Sequence, residues 1–95
     1  MGRAEFKVPG GKLLAAETSV ENGCLAEVKI TGDFFMHPEE AIERLEEALT
    51  GIRTTEASID DAVTGFFGDR TILLIGASPR DFVYVLRRSL EGSTT

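Results

Sequence analysis

The stretch Thr31-Gly32-Asp33-Phe34-Phe35-Met36-His37-Pro38 separates two kinds of sequence pattern. Before it, apolar and polar residues alternate with a period of two, which predicts β-strands. After it, apolar residues recur with a period near 3.6, which predicts helices. Gly32 accepts backbone angles that are closed to other residues. Phe34 and Phe35 point to different sides of an extended chain, so at most one of them easily enters the same core. The stretch therefore predicts a strand-to-helix corner with an aromatic plug.

Three β-strands are predicted before this corner. Alternating patterns cover residues 5–8, 12–21 and 24–31. Asn22-Gly23 is a strong signal for a two-residue hairpin turn between the second and third strands. Taken strictly, that turn places Glu17 opposite Val28, so either the turn takes three residues or a bulge near 26–27 restores the register. The inner face of the second strand is predicted to hold Leu14, Ala16, Thr18 and Val20.

Three helices are predicted after the corner. Pro38 suits the first position of a helix, and apolar residues follow it at helical spacing. Ser58 and Ser78 begin the start signals of the second and third helices, and the helices are expected to end at Gly51, Gly68 and Gly92. Between the last two helices, residues 71–75 either add a short edge strand or lie buried in extended form. This order predicts an α+β fold, in which a three-stranded antiparallel sheet is followed by helices packed on one face.

Composition limits the classes of function. The chain has 95 residues and a formal net charge of −6, which fits one domain over residues 1–95 and argues against binding to nucleic acid. The longest purely apolar run, 72–75, is far too short to span a membrane. The first residues contain no apolar signal region. A cytoplasmic protein with no membrane partner is the expectation.

The sequence offers few residues for catalysis. His37 is the only histidine and Cys24 the only cysteine, so capping or surface exposure is expected for His37 and a structural role for Cys24. No spacing of His, Cys, Asp and Glu resembles a metal site. We therefore expect no catalytic residue and no metal. Lys7 and Lys12 flank Pro9-Gly10-Gly11, where exposed N–H groups and two ammonium groups could attract an anion. The spacing of a Walker loop is missing, and a tight turn is the favoured interpretation.

Several stretches taken together carry a resemblance to a known family. They are Lys7-Val8-Pro9-Gly10-Gly11-Lys12, then Asn22-Gly23, then Ile30-Thr31-Gly32-Asp33-Phe34-Phe35, then Pro38-Glu39-Glu40-Ala41, and finally Gly76-Ala77-Ser78-Pro79-Arg80-Asp81. In order and spacing they resemble the small C-terminal accessory domain of lipoate–protein ligases, over most of the chain. No large catalytic domain precedes Lys7, so the chain is expected to be the stand-alone small subunit of a two-part ligase.

The resemblance implies a function and partners. The family uses ATP to activate lipoate to lipoyl-AMP and then transfers the lipoyl group to a lysine of a carrier domain. Carriers are found in 2-oxoacid dehydrogenase complexes and in the glycine-cleavage system. Lipoate, ATP and Mg are handled by a large catalytic subunit, and the small domain is needed chiefly for the adenylation step. We therefore expect a non-catalytic accessory subunit that binds no cofactor alone.

The resemblance also suggests which surface is functional. Lys7 and Lys12 are hypothesised to contact phosphate or the partner. The hypothesised partner interface comprises Pro9, Gly10, Gly11, Gly32, Asp33, Phe34 and Phe35, with Met36 as a further possible anchor. The alternative is that these residues serve only the fold. A different function, a scaffold or partner-binding module of the sulfur-transfer or iron–sulfur assembly type, is also compatible with an α+β plan, although a single cysteine argues against it.

Overall fold

The computed structural model describes residues 2–10 and 12–93. Along the chain the elements are β1 (Gly2–Lys7), β2 (Leu13–Glu21), β3 (Cys24–Gly32), β4 (Phe35–His37), α1 (Ala41–Leu49), α2 (Glu56–Phe67), β5 (Leu73–Ile75) and α3 (Pro79–Ser93). The predicted α+β fold is confirmed. The run near 71–75 does form a short strand, and it pairs with β4, a strand that the sequence did not predict.

The first three strands form an antiparallel sheet in the order β1-β2-β3. Helix α3 packs across β1 and β2, with α2 beside it, while α1 packs against β3. The inner face of the sheet carries small and apolar residues that lie in the core with Phe82, Val85 and Leu86 of α3. Because only one face of the sheet is covered by helices, apolar side chains are needed on that face alone, and polar residues can alternate with them along each strand.

The β2–β3 hairpin settles the question of register. Asn22 and Gly23 both have positive φ, 55° and 77°, and Glu21 pairs with Cys24 across a two-residue turn. The register shifts between Ser19 and Val20, which leaves one unpaired residue on β3. The bulge is therefore confirmed and the three-residue turn is wrong. Val20 is 39% exposed, although its partner Leu25 across the hairpin is buried in the core, so the predicted inward position of Val20 is wrong.

The helix starts differ in part from the sequence expectations. Helix α1 begins at Ala41, because Pro38 belongs to a turn in which its carbonyl accepts the Ala41 N–H at 2.9 Å. The N-cap of α2 is Thr55, three residues before the expected Ser58, and its side chain accepts the Ser58 N–H. The start of α3 is confirmed. Gly51 and Gly68 end their helices as expected, but α3 continues through Gly92, since one glycine costs a helix only about 1 kcal/mol.

A polar pair is buried between the sheet and α3. The hydroxyls of Thr18 and Ser89 lie 3.0 Å apart, and the Ser89 hydroxyl donates to the carbonyl of Leu86 at 2.7 Å. Because Ser89 has one hydroxyl proton, Thr18 is the donor between the two side chains. Buried hydroxyls are therefore satisfied, as a stable core requires.

The outer edge of β3 is covered by bonds from the α1 region. The Leu25 N–H donates to the Ile52 carbonyl at 2.8 Å, and the Leu25 carbonyl accepts the Gly51 N–H at 2.7 Å. Further along, the Ile30 N–H donates to Oε2 of Glu46 at 2.7 Å. Glu46 lies outside the apolar stripe of α1, a position that favours a side chain in solvent. The structure shows its carboxylate bonded to the edge of the sheet.

Candidate functional site

The predicted strand-to-helix corner begins with a close contact between β2 and the end of β3. The Asp33 N–H donates to the carbonyl oxygen of Leu13 at 2.9 Å. A Cβ atom at Gly32 would lie 2.3 Å from that same oxygen, a distance that no side chain can occupy. Position 32 therefore requires glycine for the chain to leave the sheet at this point.

Beyond the corner, β4 and β5 form a two-stranded antiparallel ribbon. Phe35 pairs with Ile75, Met36 with Leu74, and His37 with Leu73. Because side chains alternate along a strand, Met36 and Leu74 share one face, and the other face carries Phe35, His37, Leu73 and Ile75. We call this second set the outer ribbon face.

The two faces of the ribbon differ in burial. Met36 is 6% exposed and belongs to the core, and Leu74 is half-buried against it. On the outer ribbon face, Phe35 is 53%, Leu73 52% and Ile75 54% exposed. An apolar strip is therefore held at the surface by a ribbon whose other side is anchored in the core.

The two phenylalanines of the corner separate as predicted. The ring of Phe34 meets the ring of Phe82 edge-on at 5.2 Å, and Phe82 lies 5.5 Å from Phe67. Phe34 is thus the aromatic plug of the corner. Since Met36 is buried as well, Phe35 is the exposed candidate among the three proposed anchors.

The turn between β1 and β2 lies at the same end of the molecule. It is closed by a bond of 2.7 Å from the Val8 N–H to the Lys12 carbonyl. Pro9 and Gly10 are exposed at its tip, and Gly10 has a φ of +107°, which favours glycine. Gly11, the remaining residue of the predicted turn, lies outside the described residues.

The two lysines beside this turn lie in different places. Lys7 is paired with Leu13, and alternation puts it on the outer face of the three-stranded sheet. Lys12 extends toward the ribbon: a Cβ atom at Gly76 would lie 3.3 Å from Cγ of Lys12 and 3.5 Å from Cα of Phe34. Gly76 directly follows Ile75. The structure therefore brings Lys12, but not Lys7, to the Phe35–Ile75 end of the ribbon.

The lone cysteine and the lone histidine lie in different places, Cys24 away from the ribbon and His37 on its outer face. Cys24 is half-buried and forms a backbone bridge with Arg53, while His37 is exposed on the ribbon, as expected. Within residues 2–10 and 12–93, no group of three His, Cys, Asp or Glu side chains is arranged to hold a metal ion. In the same part of the chain, no helix combines the length and apolarity needed to cross a membrane.

One carboxyl group near the ribbon has a shifted pKa. The Thr71 hydroxyl and N–H both donate to Oδ1 of Asp69, at 2.7 and 2.9 Å. These two bonds, the hydroxyl first, lower the pKa of Asp69 below its ordinary value of 3.8, because they favour the charged carboxylate. The bonds fix the turn that leads into β5.

Comparisons with known proteins identify the family to which this arrangement belongs. Residues 4–86 match the family described as the bacterial lipoate protein ligase C-terminus. The chain belongs to this family. It is also 32% identical over 75 residues to lipoate-protein ligase A subunit 2 of Thermoplasma acidophilum, a match that covers 79% of this chain and 77% of that protein.

A solved structure agrees with this assignment. A chain from a structural study of an archaeal lipoylation system, described as a bipartite lipoate protein ligase and its E2 lipoyl domain from Thermoplasma acidophilum, superposes with a TM-score of 0.81. It is 29% identical, and the match covers 90% of this chain and 92% of that chain. The fold of this lipoate ligase C-terminal domain is therefore shared with a protein of a two-part ligase system.

Sequence reasoning found part of the ribbon surface and missed the rest. Phe35 was included because it follows the Gly32 corner. Leu73 and Ile75 were not, because the apolar run of four residues at 72–75 fits a buried strand as well as an exposed one. Leu73, Leu74 and Ile75 are all apolar, so no polar residue shows which side of the strand faces solvent. Only the pairing with β4 shows which side chains face outward.

Proposed function

We propose that this chain is the non-catalytic accessory subunit of a bipartite lipoate–protein ligase. In this role it supports the ATP-dependent activation of lipoate to lipoyl-AMP by a large subunit, before transfer to lysines of carrier domains. The observation that carries the proposal is membership of the ligase C-terminal family across residues 4–86. The likeness to a protein named subunit 2 of a ligase supports the separate large subunit.

An accessory subunit can assist adenylation without supplying a reacting group. It needs only to bind the adenylation-competent arrangement of the large subunit more tightly than the other arrangements. Lipoate, ATP and Mg are then held by the large subunit. In this proposal the turn of Pro9, Gly10 and Gly11, of which Pro9 and Gly10 are exposed, contributes to the contact surface together with the corner of Gly32 and Asp33.

The finer assignments follow from the same proposal. The large subunit is the direct partner, in the cytoplasm. Lipoyl domains of 2-oxoacid dehydrogenase complexes and the glycine-cleavage carrier protein are indirect partners. Neither nucleic acid nor membrane takes part, in keeping with the net charge of −6.

Lipoate-dependent exchange between ATP and pyrophosphate tests the adenylation role. The cognate large subunit is assayed alone and with this chain. Exchange that appears only in the mixture supports the proposal. Full exchange by the large subunit alone, together with no binding of this chain, would overturn it.

Lys12 is the side chain to change first within that assay. Its stem lies against Gly76 beside the ribbon, and in this proposal its ammonium meets a phosphate or a partner carboxylate. Lys12→Ala is expected to lower exchange about tenfold, the effect of losing one charge-assisted contact of roughly 1.5 kcal/mol. Lys29→Ala, which removes an exposed lysine from β3, is the matched control. Equal activity of the two variants, with unchanged circular dichroism, would remove Lys12 from the site.

A further inference from the structure

We infer that the outer ribbon face is the surface on which the large ligase subunit docks. This inference rests on the proposed function and names the surface and the chemistry of its partner. The partner contributes an apolar patch that covers Phe35, Leu73 and Ile75. At the Lys12 end of the ribbon, the partner patch is bordered by a carboxylate.

Exposure of apolar side chains is concentrated on this face. Among the described residues, three large apolar side chains are more than half exposed, and all three lie on the outer ribbon face. The three less exposed ones lie elsewhere: Leu13 is on the outer face of β2, and Val20 is beyond the bulge of β2. The third is Tyr84, whose ring packs against Phe6 at a centroid distance of 4.6 Å. Contiguous exposed apolar residues on a small protein mark interaction sites, and aromatic residues are enriched there.

The ribbon that carries the strip is anchored to the core. A two-stranded ribbon alone is marginally stable, but here Met36 is buried in the core and Phe34 packs on Phe82. The corner at Gly32 is fixed by the bond from Asp33 to Leu13. Little conformational entropy is then lost when a partner covers Phe35 and its neighbours, which favours tight docking.

The charge around the strip specifies the partner. Lys12 lies at the Phe35–Ile75 end and forms no ion pair with another described residue. A carboxylate on the partner would pair with it when docked, and complementary charge fixes the orientation of the contact. A second copy of this chain is a poorer fit, because both copies carry a net charge of −6 and repel each other.

Binding of the complete chain to the cognate large subunit tests the inference. Isothermal titration compares the parent chain, the double variant Phe35→Ser/Ile75→Thr and the control Val20→Thr. Threonine keeps the β-branched shape that suits a strand. The double variant is expected to bind at least roughly tenfold more weakly, as for the loss of an apolar anchor. The control, which changes an exposed apolar residue far from the ribbon, is expected to bind unchanged.

The outcomes separate the two proposals. If the parent chain does not bind the large subunit, the proposed function fails and the docking surface fails with it. If the parent binds and the double variant binds equally, the docking surface is overturned and the proposed function stands. The same holds if the double variant loses only self-association, measured by light scattering. Thermal unfolding monitors the fold, and Leu73→Thr replaces the double variant if that variant unfolds.

Discussion

The molecule contains two antiparallel sheets that expose opposite kinds of surface. On the outer face of the three-stranded sheet, Arg3 forms ion pairs with Glu5 and Glu17 at 3.4 and 3.2 Å. On the outer face of the two-stranded ribbon, Phe35 and Ile75 lie opposite each other with more than half of each side chain exposed. Both sheets have their other face on the core.

An antiparallel sheet with one face in water normally alternates apolar and polar residues. Most of the three-stranded sheet follows this rule, with Leu13 and Ala15 as apolar residues on its outer face, whereas the ribbon does not. Exposed ion pairs like those of Arg3 add little stability, so the charged face mainly keeps that side in water. The ribbon's departure from the rule indicates a surface that is covered when a partner is present.

The largest expected effect is the difference in lost stability between truncating a buried leucine and truncating an exposed isoleucine. Leu14 on β2 is fully buried, whereas Ile75 is 54% exposed. Leu14→Ala should lower the free energy of unfolding by about 2–5 kcal/mol, because it leaves a cavity in the core. Ile75→Ala should lower it by less than about 1 kcal/mol. Urea denaturation measures both, and a large loss for Ile75→Ala would show that the ribbon face is part of the core.

The next effect concerns the joint between the two sheets. A side chain at position 32 would collide with the Leu13 carbonyl, so Gly32→Ala should lower the free energy of unfolding by about 2–3 kcal/mol through backbone displacement. Gly65→Ala is the control, since it lies in α2 with open space around it. That change should instead stabilise the helix by up to about 1 kcal/mol. Equal midpoints in urea would contradict the close contact at the joint.

The smallest effect concerns pH and the turn before β5. Because the pKa of Asp69 is lowered on folding, its contribution to stability is present above the unfolded value of 3.8 and is lost as pH falls through the lower folded value. Thermal melts below pH 4 should therefore show a small loss that Asp69→Asn does not share. The midpoint difference between parent and variant should stay constant from about pH 5 to pH 8. A difference that changes within that range would contradict the assignment.

The sequence was sufficient to predict the elements that are long enough to show their apolar periodicity several times. Alternation over β2 and β3 and helical spacing over α1 and α3 predicted the α+β order, because each pattern is sampled several times. The Asn22-Gly23 turn was also predictable, since both positions need positive φ. The sequence could not decide between a bulge and a longer turn, because both place the same residues near Val28 on the inner face.

What escaped prediction depends on contacts between distant parts of the chain. Strand β4 spans three residues, too few for a period to be recognised, and it exists because β5 pairs with it. Glu46 lies off the apolar stripe of α1, yet its carboxylate accepts the Ile30 N–H. The candidate site was predicted in part for the same reason. Phe35 follows a recognisable corner, but Leu73 and Ile75 join it only through the pairing.

The covered edge of β3 has a consequence for the behaviour of the protein at high concentration. An edge strand with unpaired backbone groups can recruit a strand from another molecule and start a fibril. Here Leu25 is bonded through both backbone groups, and the Ile30 N–H is held by Glu46. The sheet therefore cannot grow at these positions by adding a neighbour's strand. Although the ribbon exposes apolar side chains, the covered edge of β3 therefore protects the three-stranded sheet from fibril formation at that edge.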